Sequence, residues 1–175
     1  MPDERVAIFI DGSNLYHGLA DDFPGRRIDY RRLIAKLVGD RRLLRTYYYN
    51  APLNSNEDPL AASKQQRFFA AIKAIPYLEL KLGRLESRPG GQHSEKGVDI
   101  MMSVDMVSMA SRDVYDTAIV VTGDGDFAYA VYAVKEHGKH VENACTRYGH
   151  ARALREACDV CIEIDAAFVS DLLLY

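Results

Sequence analysis

A short apolar run that ends in two aspartates constrains this sequence more than any other feature. Residues 118–127 read A-I-V-V-T-G-D-G-D-F. A run rich in β-branched residues is typical of a buried strand in a parallel sheet. Asp124 and Asp126 follow just past its carboxyl end, where open α/β sheets bind their ligands. Two carboxylates this close repel each other unless a proton or a cation intervenes, so the run predicts a binding site at a sheet edge.

Strand-like and helix-like segments alternate along the rest of the chain. Strands are predicted over residues 5–10, 43–49, 77–85, 116–122, 139–144 and 160–164, and helices over 14–20, 29–37, 59–74, 98–111, 127–137, 149–157 and 166–174. This alternation predicts an α/β fold, a mostly parallel central sheet with helices on both faces. Residues 87–97 are predicted to be a long polar loop. With 175 residues and no repeat or linker, residues 1–175 are predicted to form a single domain.

Overall charge and cysteine usage exclude some classes of protein. The net charge of −3 argues against a protein that coats nucleic acid through bulk positive charge. Residues 26–45 nevertheless hold eight basic and two acidic residues, which either follow a phosphate backbone or form a solvated helix face. Three cysteines are too few for a disulfide framework and indicate a reducing compartment. Without a signal peptide or a long apolar run, we expect a cytoplasmic protein with no membrane partner.

Two more aspartates are predicted to reach the same sheet edge. Asp11 ends the first predicted strand, and Asp99 begins the helix over residues 98–111. Four carboxylates in one crevice cannot all stay ionised unless a hard divalent cation offsets their repulsion. No histidine or cysteine accompanies them, which favours Mg²⁺ or Mn²⁺ over zinc. The predicted metal ligands are Asp11, Asp99, Asp124 and Asp126, and such a site suits metal-assisted hydrolysis of phosphate esters.

Each acidic residue also has a simpler interpretation. An aspartate at a strand-to-helix junction is often only a helix N-cap. The D-G-D sequence lacks the spacing of a calcium-binding loop. Asp105 lies six residues after Asp99 on a different helical face, so it is either an outer support of the site or unrelated. The Cys158-x-x-Cys161 pair has no second pair beside it and does not favour a zinc or redox site.

Three motifs together resemble a known family. They are D-G-S-N-L-Y at residues 11–16, K-G-V-D at 96–99 and T-G-D-G-D-F at 122–127. In this order and spacing they resemble the NYN domain, in particular its LabA-like bacterial branch, within the PIN-like nuclease superfamily. The resemblance covers nearly the whole chain. It implies a three-layer α/β/α sandwich of the PIN-like (Rossmann-like) class, an acidic pocket that binds Mg²⁺ or Mn²⁺, and cleavage of RNA, in particular single-stranded RNA.

The resemblance also assigns roles to individual residues. Asp11, Asp99, Asp124 and Asp126 match the acidic catalytic positions, and Asn14 matches the family's asparagine after the first strand. Ser13 and Thr122 match small hydroxyl positions at the pocket floor, and Lys96 matches a lysine that contacts the scissile phosphate. Thr122 and Gly125 stand where serine is frequent in the family. From their place in two further basic clusters, Arg88 and Arg147 are added as predicted substrate contacts.

The function expected from the sequence is a metal-dependent endoribonuclease in which a metal-activated water attacks the phosphodiester. Two alternatives stay open: an RNA-binding or regulatory module that cleaves little, and a metal-dependent phosphatase acting on a small substrate. Tyr16 and the three tyrosines at 47–49 offer surfaces for base stacking, although a role in the core suits the latter better. The apolar tail at residues 172–175 docks either on its own core or on a second subunit, which leaves a homodimer open.

Overall fold

The computed structural model describes residues 3–87, 93–147 and 150–174. Within these residues the strands are β1 Arg5–Asp11, β2 Arg42–Asn50, β3 Leu78–Leu82, β4 Arg84–Ser87, β5 His93–Lys96, β6 Thr117–Val121, β7 His140–Cys145 and β8 Val160–Glu163. The helices are α1 Gly12–Asp22, α2 Tyr30–Val38, α3 Pro59–Lys73, α4 Val98–Ser111, α5 Ala128–Glu136, α6 Arg152–Ala157 and α7 Ala166–Val169, with a 3-10 turn at Gly125–Phe127.

Six of the strands form one parallel sheet in the order β3-β2-β1-β6-β7-β8. Helices cover both faces, α1, α2, α3 and α7 on one and α4, α5 and α6 on the other, each over its own apolar core. This confirms the predicted three-layer α/β/α sandwich. The chain order of the strands reverses between β1 and β6, and at such a reversal the connections leave to opposite faces and open a crevice.

Burial explains why these segments form strands. All five residues of β6 are buried, with Ala118 and Val120 in one core and Ile119 and Val121 in the other. The tyrosines of β2 alternate in the same way, Tyr48 facing one core and Tyr47 and Tyr49 the other. Side chains that point alternately to two apolar layers favour a central strand. The tyrosine run is therefore core, and base stacking by these rings is excluded.

Three predicted segments differ from the structure. The predicted strand over 77–85 is two strands, β3 and β4, separated by Gly83. The predicted polar loop at 87–97 was wrong in part, because β5 pairs antiparallel with β4. The closing helix, predicted to reach residue 174, ends at Val169, since the following residues turn back and Leu173 forms a bridge with Ile28. The last two differences come from backbone pairing that leaves little apolar pattern in the sequence.

The tail docks on its own chain. Leu172 is buried in the core under α2, and its carbonyl accepts a hydrogen bond from the backbone N–H of Asp29 at 2.7 Å. The Leu174 N–H donates to the carbonyl of Arg27 at 2.8 Å. The tail through Leu174 thus packs on its own core, whereas Tyr175 lies outside the described residues. In the part of the chain that is described, no helix combines the length and apolar character needed to cross a bilayer.

Candidate active site

The carboxyl edge of the sheet joins two segments that are far apart in sequence. Ile10 in β1 and Val121 in β6 are register partners, so Asp11 and Thr122 come next on neighbouring strands. The Thr122 hydroxyl donates a hydrogen bond to Oδ2 of Asp11 at 3.1 Å. Asp11 is only 6% exposed. The first strand and the strand before Thr122 are therefore neighbours in the sheet and end side by side.

Asp11 and Asp124 also serve as N-caps. Oδ1 of Asp11 accepts a hydrogen bond from the Asn14 N–H at 3.0 Å and begins α1. Oδ1 of Asp124 accepts from the Asp126 N–H at 3.0 Å and begins the 3-10 turn. The simpler capping interpretation therefore applies to these two residues. Capping engages one oxygen of each carboxylate in a local bond and fixes the direction in which the group points.

Asn14 fastens the two halves of the site together. Its Oδ1 accepts a hydrogen bond from the Gly123 N–H at 2.8 Å, across a sequence separation of 109 residues. Thr122 adds a second bond by accepting from the Asp124 N–H at 3.2 Å. The Asn14 bond thus holds the loop that carries Asp124 and Asp126 against α1, and the Thr122 bond fixes the conformation of the loop itself. Asn14 acts here on the backbone of the loop, whereas its predicted contact with a water or a phosphate stays a prediction.

Asp99 completes the acidic group from the other face of the sheet. It lies in the first turn of α4, whose N-cap Gly97 has a φ of 82° and provides no side-chain cap. Burial around the carboxyl group raises the pKa of Asp99, and the negative charges of Asp124 and Asp126 raise it further. Although the residue as a whole is solvent-exposed, its carboxyl group lies close enough to the two acids of the β6 loop for their charges to act on it. Three of the four predicted acids share one field of negative charge.

This raised pKa predicts how Asp99→Asn changes stability with pH. An aspartate whose folded pKa exceeds its unfolded value destabilises the fold at higher pH, and the penalty disappears as pH falls through the folded pKa. In EDTA at about pH 7 we expect Asp99→Asn to melt at a higher temperature than the parent, despite the favourable place of Asp99 at a helix N-terminus. At about pH 3 the two should melt together. Thermal unfolding followed by circular dichroism measures both.

The same experiment has an internal control. Asp40→Asn removes a charge from an exposed loop between α2 and β2 and should show no such pH-dependent difference from the parent. Added Mg²⁺ should stabilise the parent and not the Asp99→Asn variant. An Asp99→Asn protein that is less stable than the parent at neutral pH would contradict the arrangement of charges described above.

The donor chemistry of the site fits a hard divalent cation. The group offers carboxylate, hydroxyl and amide oxygens from Asp11, Asp99, Asp124, Thr122 and Asn14, which suits Mg²⁺ or Mn²⁺. The mutual repulsion seen at Asp99 is the kind that such a cation relieves. Among the described residues, no three His, Cys, Asp or Glu side chains already converge closely enough to form a ready-made metal site. Mg²⁺ commonly uses one or two carboxylates and keeps several waters.

The remaining predicted substrate contacts differ in their position and in their partners. Ser13 lies in the first turn of α1 and is half-buried, and Thr122 is buried at the centre of the hydrogen bonds just described. Arg88 and the side chain of Lys96 lie outside the described residues. Arg147 follows β7 at the same sheet edge, but its guanidinium donates to Glu163 at 3.2 Å and its backbone N–H to Asp22 at 2.8 Å. Its contact with a substrate stays a prediction.

The basic segment at residues 26–45 is largely occupied by contacts within the fold. Arg41 binds Glu142 with two hydrogen bonds at 2.6 and 3.0 Å. Lys36 binds Asp171 at 2.6 Å, and Arg32 donates to the Asp171 carbonyl at 2.9 Å. Arg42 starts β2 and therefore lies at the amino edge of the sheet, opposite the acids. These contacts favour the interpretation as a structural and solvated surface over a track for a phosphate backbone.

Two supporting interactions were not anticipated from the sequence. Asn143 in β7 is fully buried, and its Nδ2 donates to the carbonyls of Val120 and Thr122 at 3.0 and 2.8 Å, which fixes the end of β6. An asparagine inside an otherwise apolar strand end was the available signal, since buried amides require partners. Asp105 accepts hydrogen bonds from Tyr49 and Lys81 at 2.8 and 2.7 Å. It therefore fastens α4 to β2 and β3.

Comparison with known proteins identifies the family of the chain and agrees with its fold. The chain is 28% identical over 167 residues to the "Low amplitude and bright protein LabA" of Synechococcus elongatus, an alignment that covers 92% of this chain and 84% of that protein. A crystal structure of a protein of unknown function from Vibrio parahaemolyticus superposes with a TM-score of 0.79 at 23% identity, covering 98% of this chain and 97% of the other. The NYN domain matches residues 5–165. The chain therefore belongs to the NYN domain family, a family of PIN-like nucleases.

Proposed function

We propose that this protein is a metal-dependent ribonuclease that hydrolyses phosphodiester bonds of single-stranded RNA. The observation that carries the proposal is that the buried Asp11 and the loop of Asp124 and Asp126 lie at the carboxyl edge of the sheet, at its strand-order reversal, where the charges of that loop also raise the pKa of Asp99. Membership of a nuclease family supports hydrolysis of nucleic acid, and the proposed cation is Mg²⁺ or Mn²⁺. When bound, such a cation supplies an activated water and neutralises charge that develops on the phosphate.

The side chains of this protein would contribute positioning and charge. Asp11, Asp99, Asp124 and Asp126 are the proposed ligands of the cation. Thr122 and Asn14 hold Asp11 and the β6 loop in register through the hydrogen bonds at 3.1 and 2.8 Å, so the carboxylates need little rearrangement before substrate arrives. Pre-organised groups of this kind lower the cost of reaching the transition state.

Support for an unpaired substrate comes from the rim of the site. Tyr16 lies on α1, two residues past Asn14, and is 65% exposed. An exposed aromatic ring stacks well on an unpaired base and poorly on a base held in a duplex.

The three cysteines are all free thiols, which supports a cytoplasmic location.

The proposal is tested with a panel of substrates. Labelled single-stranded RNA, duplex RNA, single-stranded DNA and a phosphomonoester are incubated with the protein in Mg²⁺, Mn²⁺ or EDTA. We expect cleavage of single-stranded RNA in at least one metal and none in EDTA, because the carboxylates alone cannot neutralise the attacked phosphate. Internal labels distinguish cleavage within the strand from cleavage at its ends.

The other outcomes decide between the alternatives. RNA that is bound in EDTA and survives in both metals would identify a binding module. Turnover of the phosphomonoester without cleavage of RNA would identify a phosphatase. Cleavage that persists in EDTA would contradict the metal-dependent mechanism itself.

A further inference from the structure

Helix α4 carries apolar residues on its outer face as well as on its inner face, although the outer face points to solvent. Its inner face fills the core with Val98, Met102 and Met106. On the outer face, Ile100 is 71% exposed and Val104 is 59% exposed. A helix normally presents polar residues to solvent and apolar residues to a neighbouring element. Within the described residues, no element covers Ile100 and Val104.

Helix α5 extends this surface. It packs beside α4, and its Tyr129 and Tyr132 are 84% and 50% exposed. We call the surface formed by Ile100, Val104, Tyr129 and Tyr132 the α4–α5 face. Isolated exposed apolar residues are ordinary, but a group of four on two adjacent helices is typical of a contact surface. Tyrosine in particular is enriched where proteins meet.

We propose that the α4–α5 face binds the same face of a second copy of this chain and forms a twofold-symmetric dimer. The inference rests on the helix surfaces and does not depend on the proposed nuclease activity. It gives the homodimer left open by the sequence a definite surface, separate from the carboxyl-terminal tail.

The charges near the face favour a second copy over a nucleic acid. Helix α4 has no basic residue, and its Asp105 is held by Lys81 and Tyr49. The one basic residue of α5, Lys135, binds Asp159 at 2.7 Å. A phosphate backbone requires cations, which this face does not offer. A twofold axis sets identical groups against each other, so an uncharged face avoids repulsion.

The face supplies part of the area of such a contact. Its four side chains expose on the order of 400 Å² of largely apolar surface, about half of the ~800 Å² per partner in a standard interface. The neighbouring small residues Ser103 and Ser108 lie on the same helix and allow a second helix to approach closely.

The test is the mass of the protein in solution. Sedimentation equilibrium of the full chain, loaded up to about 100 µM, is expected to give twice 19.7 kDa, since a dimer with a Kd of about 1 µM is fully formed there. Val104→Glu places like charges across the proposed axis and is expected to give the monomer mass. At a protein concentration low enough for the parent to be monomeric too, the variant and the parent should melt at about the same temperature, because Val104 contributes little to the core.

The matched control is Leu60→Glu, which introduces the same charge on the exposed side of α3, where Leu60 is 66% exposed. It should leave the dimer intact. A parent protein that stays monomeric at every concentration, a Val104→Glu protein that stays dimeric, or a Leu60→Glu protein that also dissociates would overturn the proposal. If the parent is monomeric and binds oligouridylate, and Val104→Glu loses that binding, the face binds nucleic acid instead.

Discussion

Asp124→Asn is expected to lower the ribonuclease activity by at least about 100-fold, since even outer-shell partners of a metal ligand cost 10–100-fold when they are removed. The substitution is nearly isosteric. The amide oxygen of asparagine can still accept the hydrogen bond from the Asp126 N–H that begins the 3-10 turn. Loss of activity would therefore report loss of charge at the proposed metal site rather than collapse of the loop. Initial rates on single-stranded RNA at saturating Mn²⁺ measure the effect.

Asp40→Asn is the matched control for this prediction, because it removes one charge from an exposed loop at the opposite edge of the sheet. It should cleave at the rate of the parent. The Asp124→Asn protein should also melt in EDTA at or above the temperature of the parent, because one of the charges facing Asp99 is gone. If Asp124→Asn cleaves RNA as fast as the parent, the observed activity comes from elsewhere and the proposed site is wrong.

Gly12→Ala is expected to cost about 3 kcal/mol of folding free energy, near the upper end of ordinary overpacking. A Cβ at position 12 would lie 2.4 Å from Cε1 and 2.6 Å from the hydroxyl oxygen of Tyr48. Tyr48 is 1% exposed and packs edge-on against Tyr30 and Phe68, so its ring has nowhere to move. Elsewhere in a helix, replacing glycine by alanine stabilises the fold by about 1 kcal/mol. A loss of stability in Gly12→Ala would therefore point to the contact with Tyr48.

The measurement is chemical unfolding of Gly12→Ala, Tyr48→Leu and the double variant. Truncating the tyrosine removes the atoms that clash, so Gly12→Ala should cost much less in the Tyr48→Leu background, and the difference is a coupling energy. If Gly12→Ala fails to fold, recovery of folding in the double variant supports the same contact. Equal costs in both backgrounds would show that the close approach of α1 to β2 is not what requires glycine.

The position of the acids could be predicted from the sequence because it depends on topology alone. Parallel strands end at one edge, so Asp11 and Asp124 were expected to meet whatever the details of packing. The hydrogen bond from Gly123 to Asn14 and the partners of Asp105 could not be predicted, because they depend on which side chains face each other across separate elements. Nothing in local spacing specifies such a contact.

The hairpin of β4 and β5 shows a second limit. Its strands read R-L-E-S and H-S-E-K, which have neither a run of apolar residues nor the alternation of a half-buried strand. Their pairing depends on backbone hydrogen bonds in a register from Arg84 with Lys96 to Ser87 with His93. Polar composition therefore predicted a loop where the chain pairs with itself. The three tyrosines of β2, by contrast, were placed in the core correctly because strand alternation is a strong signal.

The pairing of β1 with β6 also determines when the site can exist during synthesis. Asp11 is joined to Thr122 across a sequence separation of 111 residues. Contacts of this kind form late, since a long stretch of chain must be closed before they gain any stability. While the ribosome has released only the first hundred residues, β1 can pair with β2 but not with β6, and Asp124 and Asp126 have not yet been made. The proposed activity can therefore begin only after β6 and its loop have joined the sheet.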